Sequence, residues 1–130
     1  MIGGKKVDIQ LTEKQLERLR RASDITEIQM LMAKYVEYMS KMRAADAYTL
    51  FAQNNENISI ELAECGGYDG SAHVKAFLDA YDAYLSDPRD KRGWMELQTI
   101  CNPTVLVSDD HSRAMGYWTI LAPSSKWAMP

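Results

Sequence analysis

Apolar residues in the first third of the chain recur at helical spacing. From Ser23 onward they fall three and four residues apart, which predicts one apolar stripe on a long helix; the stripe consists of Ile25, Ile28, Met32, Tyr35, Met39 and Met42. Asp24 with Glu27 indicates a helix start. A shorter helix is predicted over residues 13–22, with Thr12 and Gln15 as its capping box. Residues 1–10 ahead of it are predicted to form a flexible tail.

The second half of the chain changes to a two-residue alternation. "ISIELAE" predicts a half-buried strand with Ile58, Ile60 and Leu62 on one face. A helix follows Gly70, with Ser71 as its cap and an inner face made of Val74, Phe77, Leu78, Tyr81 and Leu85. "WMELQTICNPTVLVS", "DDHS" and "RAMGYWTILA" predict a long strand, a turn and a returning strand, and Pro103 requires a bulge or an edge position. "DAYTLFAQN" predicts a further short helix.

Helices that precede antiparallel strands predict an α+β fold in a single domain over residues 11–130. The net charge of −3 gives no basic surface for nucleic acid. No apolar run approaches the length of a membrane span, and the N-terminus has no secretory pattern. We therefore expect a cytoplasmic protein in which Cys65 and Cys101 are free thiols. No glycine-rich phosphate loop or metal-ligand spacing is present, so neither a cofactor nor a metal is expected.

The order of these elements resembles a known family. A long helix ending in "DAYTLFA", a strand, "GGYDG" opening a helix and the hairpin "NPTVLVSDDHSRAMGYW" are similar to the SnoaL-like group of the nuclear transport factor 2-like (cystatin-like) superfamily. The resemblance covers roughly residues 12–123. It implies N-terminal helices packed on a curved antiparallel sheet, forming a cone with a cavity. In such a sheet Gly66 and Gly67 would supply a bend, Tyr68 would occupy the corner, and Gly70 would admit the chain to the helix.

The resemblance also implies where an acid/base pair would lie. Lyases of the family place a tyrosine and an aspartate five residues apart on the long helix, with a histidine on a strand. Carried onto this chain, these positions are Tyr35, Ser40 and Gln98. Neither the acid nor the base is present, and the histidines His73 and His111 are predicted to be solvated surface residues.

A cavity lined by tyrosine, methionine and tryptophan with one amide suits a flat apolar ligand that carries an oxygen. The candidate ligand-binding residues are Tyr35, Tyr38, Met42, Gln98, Tyr117 and Trp118. The predicted function is binding of a small apolar or aromatic molecule without the family's usual acid/base pair. Two alternatives stay open, namely a dehydratase- or isomerase-type lyase that uses other residues, and a non-catalytic dimerisation module.

The family pattern normally adds two strands after "GYWTILA", and this sequence ends at "SSKWAMP". A bare strand edge is an aggregation hazard. We therefore expect either a fragment of a longer chain or a second chain over this edge. Trp127 and Met129 would then contact a partner, and a homodimer through the sheet is expected.

Overall fold

The structure is a computed structural model that describes residues 10–63, 65–86 and 95–125. Its elements, in chain order, are α1 (Glu13–Ser40), a 3₁₀ helix (Ala44–Leu50), β1 (Ser59–Leu62), β2 (Gly66–Asp69), α2 (Ser71–Ser86), β3 (Met95–Glu96), β4 (Thr99–Val107), β5 (Ala114–Leu121) and β6 (Ser124–Ser125). The predictions for residues 1–9, for most of the 86–93 loop, and for Trp127 and Met129 lie outside the described residues.

The two predicted N-terminal helices are one continuous helix, α1. Its start is as predicted, since the Gln15 backbone N–H donates to Thr12 Oγ1 at 3.3 Å and the Thr12 N–H donates to Gln15 Oε1 at 2.9 Å. The predicted second start at Asp24 is wrong. No glycine or proline interrupts residues 13–40, so propagating the helix costs less than ending it and nucleating a new one.

The apolar stripe of α1 lies on the inner side, as predicted. Ile28 and Met32 are partly buried and Met39 is fully buried. The core joins the C-terminal end of α1 to the 3₁₀ helix and α2, and its buried side chains are Met39, Ala44, Ala47, Val74, Leu78 and Leu85. The Ser71 hydroxyl does not act as a simple cap, because it donates to the Gln53 carbonyl at 2.7 Å and accepts from the Tyr48 hydroxyl at 2.5 Å.

Gly66 and Gly67 do not form the predicted strand bend. The chain reverses between Leu62 and Gly66, and both glycines belong to β2, which pairs antiparallel with β1. Tyr68 lies opposite Ile60 and stacks on Phe77 with ring centroids 4.5 Å apart. Gly70, with a φ of +86°, admits the chain to α2 as predicted, since that left-handed conformation is strained for residues with a Cβ.

The long hairpin of β4 and β5 has the predicted bulge. The antiparallel register shifts between Cys101 and Thr104, and Asn102 in that interval has a φ of +49°. The bulge leaves Pro103 outside the regular ladder, where its missing N–H costs nothing. α1 packs against β4, which brings the helix stripe under the hairpin.

All strand pairs in the described residues are antiparallel, and they form three two-stranded sheets, β1–β2, β4–β5 and β3–β6. The α+β class is therefore confirmed. The β3–β6 pair, which joins Met95 to Ser125 and Glu96 to Ser124, was not predicted. Two-residue strands carry too little periodicity to be recognised in a sequence.

Candidate functional site

An apolar cavity of about 230 Å³ lies between α1, the 3₁₀ helix and β5. Its lining residues are Ile28, Leu31, Met32, Tyr35, Leu50, Phe51 and Trp118. Four of them come from successive turns of α1, because residues three and four apart share one helix face. The structure thus brings two of the predicted ligand-binding residues, Tyr35 and Trp118, to the same cavity.

Tyr35 is the polar member of the lining. Its ring is partly buried, and burial raises the pKa of its hydroxyl, with a smaller contribution from the Tyr81 hydroxyl. The hydroxyl makes no hydrogen bond within residues 10–63, 65–86 and 95–125. Buried hydroxyls in native proteins nearly always have a partner, so an unpaired hydroxyl on a residue that lines a cavity is a candidate contact for a ligand oxygen.

Trp118 owes its position to Gly116, two residues before it on the same face of β5. A Cβ added to Gly116 would lie 2.0 Å from an indole carbon of Trp118. The indole ring therefore lies directly over the glycine, an arrangement that any larger residue at position 116 would disturb. The "GYW" tripeptide is the sequence signal for this arrangement, because it places a glycine two residues before the tryptophan. The two-residue alternation alone did not reveal which face of β5 the Trp118 ring would cover.

Tyr117 does not reach the cavity. Successive residues of a strand point to opposite faces, and Tyr117 is 57% exposed on the face away from Trp118. Its hydroxyl donates to Met115 Sδ at 2.6 Å. Tyr38 and Met42 are not among the residues that line the cavity either, and both pack against the core cluster. Two cations also lie over the Tyr38 ring, with Lys34 Nζ at 5.8 Å and the Arg43 guanidinium at 5.5 Å from its centroid.

Ser40 and Gln98, where the resemblance implied an acid and a base, are indeed neighbours. The Gln98 backbone N–H donates to Ser40 Oγ at 3.0 Å, and its side-chain amide donates to Glu96 Oε1 at 2.7 Å. Glu96 was not predicted. Burial raises the pKa of the Tyr81 hydroxyl, and the negative charge of Glu96 raises it further. Side chains two residues apart on an extended chain point to the same side. The position of Glu96 two residues before Gln98 was therefore the sequence signal that could have identified this carboxylate.

His111 is not the solvated surface residue that was predicted. Its side chain is only 14% exposed, and its two ring nitrogens contact Asp24 and Glu17 on α1. Both nitrogens are engaged by carboxylates, so the ring has no free nitrogen with which to take a proton from a ligand. His73 is exposed as predicted, and its Nδ1 lies 2.8 Å from the Asp69 carbonyl oxygen.

Within residues 10–63, 65–86 and 95–125, no three histidine, cysteine or acidic side chains converge as metal ligands. Neither α1 nor α2 contains a stretch that is both long and apolar enough to cross a bilayer.

No protein-family model and no curated protein matches the sequence. Among solved structures, the fold is similar to that of ActVI-ORFA from Streptomyces coelicolor, with a TM-score of 0.50 over 81% of this chain and 73% of that chain. The two sequences are 14% identical over the match. Such a likeness shows a shared fold and no closer relationship.

Proposed function

We propose that this protein binds a small apolar or aromatic molecule in the cavity between α1 and β5, without the family's acid/base pair and without a cofactor. The observation that carries the proposal is that Tyr35, whose hydroxyl has no hydrogen bond in the described part of the chain, lines an otherwise apolar cavity. Apolar cavities with a few placed polar groups are the usual form of small-molecule sites.

The cavity volume limits the ligand. A dry apolar cavity of about 150 Å³ accepts benzene, and this cavity measures about 230 Å³. A compound of one or two fused rings is therefore the expected size. The Leu50, Phe51 and Trp118 side chains offer flat or branched apolar surface, and Tyr35 offers a donor for one carbonyl or hydroxyl oxygen.

Two probe ligands test this assignment, naphthalene and 2-naphthol, which differ by one hydroxyl. Binding is followed by the NMR signal of the Trp118 indole N–H, which reports on the cavity wall itself. We expect both ligands to shift this signal. Tyr35→Phe should weaken 2-naphthol binding by about two- to tenfold, because one neutral hydrogen bond contributes about 0.5–1.5 kcal/mol net. Naphthalene affinity should stay unchanged in that variant.

Two further variants make the comparison specific. Tyr38→Phe removes a hydroxyl from the same helix but away from the cavity, and should alter the binding of neither ligand. Gly116→Ala displaces the indole ring and should weaken both. The proposal fails if neither ligand shifts the Trp118 signal, or if Tyr35→Phe and Tyr38→Phe change 2-naphthol affinity equally.

We also propose that two copies of the chain associate through the outer face of the β4–β5 hairpin. Leu106 and Met115 are cross-strand partners. Tyr117 lies two residues after Met115 on the same face of β5, and Leu121 lies four residues after Tyr117. All four side chains are more than half exposed. Contiguous exposed apolar surface of this kind marks interaction sites.

Light scattering across a range of concentrations tests the association. The wild-type chain should have the mass of a dimer. Leu106→Lys should shift the equilibrium to the monomer, because burying an unpaired charge at such an interface is strongly unfavourable. Leu19→Lys, an equally exposed leucine on α1, is the matched control and should remain dimeric. A wild-type monomer at every concentration would overturn the association and leave the cavity proposal standing.

A further inference from the structure

The tip of the β4–β5 hairpin is attached to the first half of α1 by a polar cluster. His111 occupies the turn with a φ of +58°. Its Nε2 lies 2.8 Å from Glu17 Oε1, and its Nδ1 is hydrogen-bonded to Asp24 Oδ2. Glu17 and Asp24 are seven residues apart, two turns along one face of the helix, so the imidazole ring is held between them.

This geometry selects one protonation state. A neutral imidazole has one N–H donor and one lone pair, whereas the charged ring has two N–H donors. Both nitrogens of His111 face carboxylate oxygens. In the neutral form one ring lone pair would oppose a carboxylate oxygen, so the cation alone satisfies both contacts.

Other charged side chains surround the contact of His111 with α1. Arg21 on α1 donates to the Val107 carbonyl at 2.7 Å and to Asp109 Oδ1 at 3.2 Å. In the turn itself, Asp110 accepts from Ser108 and Ser112, which lowers its pKa to about 2. Glu27 on α1 and Arg113 on the hairpin border the same contact, beside a cavity of about 220 Å³. The helix and the hairpin tip are therefore joined here by polar bonds beside an open pocket.

We propose that His111, Asp24 and Glu17 form a pH-dependent clasp, which fixes the hairpin tip on α1 and thereby holds Trp118 in the cavity wall. Trp118 belongs to β5, the strand that leaves this turn. When the clasp releases, the hairpin tip keeps the Arg21 bonds to Val107 and Asp109 but loses both contacts of His111. We therefore expect the tip to move more, and the mean distance between Trp118 and the α1 side of the cavity to increase.

The direction of the pH dependence follows from the two partners. Hydrogen bonds to Asp24 and then to Glu17 raise the pKa of His111 above its ordinary 6.5. The His111 contribution is therefore complete below that ordinary value and is lost as pH rises through the raised one. The His111 hydrogen bond lowers the pKa of Glu17 below its ordinary 4.5, so the Glu17 contribution is lost only as pH falls through that lower value.

Amide hydrogen exchange of the whole chain tests the clasp without any ligand, so the clasp and the proposed binding function stand or fall separately. The reporter is the Ser108 amide, which donates to the Arg113 carbonyl across the turn at 2.9 Å. After correction for the intrinsic pH dependence of exchange, its protection should fall at least about threefold between about pH 5.5 and about pH 9. The Trp118 indole N–H signal should shift with the same midpoint.

Three variants separate the clasp from a general effect of pH. His111→Asn keeps a residue that accepts positive φ but cannot reach both carboxylates, and should abolish the transition. Asp24→Asn removes one charge and should move the midpoint to lower pH. His73→Asn, an exposed histidine on α2, should behave as wild type. Protection that is flat with pH in the wild type, or a transition that survives in His111→Asn, would overturn the proposal.

Discussion

Leu78 is one of the two largest fully buried side chains among the described residues. It is 0% exposed on α2 and packs in the cluster that joins α1, the 3₁₀ helix and α2. The 3₁₀ helix carries Leu50, which lines the cavity. Leu78→Ala therefore tests both the core and the support of the site.

The magnitude follows from burial. Replacing a fully buried leucine by alanine costs about 2–5 kcal/mol, which combines lost transfer free energy with the cavity left behind. For a two-state domain of this length, each kcal/mol lowers Tm by about 3–4 °C. We therefore expect Leu78→Ala to lower Tm by about 10 °C and to move the urea midpoint with an unchanged slope.

The matched control is Leu19→Ala, the same chemical change on a helix at a side chain that is 56% exposed. It should alter the free energy of unfolding by less than about 0.5 kcal/mol. Both variants are measured by calorimetry and urea denaturation. A loss of less than about 1 kcal/mol in Leu78→Ala, or an equal loss in the control, would refute the assignment of the core.

Two further substitutions probe backbone conformation and the polar group at Gln98. Gly70→Ala should lower the free energy of unfolding by about 1–2 kcal/mol, because its φ is +86° and the new Cβ would lie 3.3 Å from Glu56 Oε2. The control Gly67→Ala places its Cβ in open space and should cost less than about 0.5 kcal/mol. Urea denaturation measures both, and equal losses would contradict the strain of the left-handed conformation at Gly70. In Gln98→His, the pKa of the new imidazole should lie above its ordinary value near 6.5, because the Glu96 carboxylate favours the charged ring. NMR titration measures this pKa, and adding Glu96→Gln should remove the shift. A midpoint at or below the ordinary value in the single variant would show that Glu96 does not face position 98.

Local signals in the sequence were sufficient for much of the fold. The Thr12–Gln15 capping box lies within one helical turn, and both of its hydrogen bonds are formed. The bulge at Pro103 follows from a missing N–H in a strand, and the register shift falls there. These features are decided by residues a few positions apart, whose steric and hydrogen-bonding preferences act in any tertiary context.

Where local signals conflicted, the tertiary structure decided. Asp24 has the side chain of a helix cap, yet it lies inside α1 and binds His111, 87 residues away. A cap contributes about 1 kcal/mol, and an acidic side chain inside a helix is tolerated when it gains a partner elsewhere. Position along the sequence gave no indication of that partner.

The candidate site shows the same division. The helical period placed Tyr35 on the inner face of α1, but whether its hydroxyl would be paired depended on which strands lie opposite. The alternation in "GYWTILA" required Tyr117 and Trp118 to point to opposite faces, and it was the packing of α1 against the hairpin that made the face of Trp118 the inner one. The strand period is fixed by the backbone, whereas the choice of face depends on where apolar surface from distant residues is available to cover it.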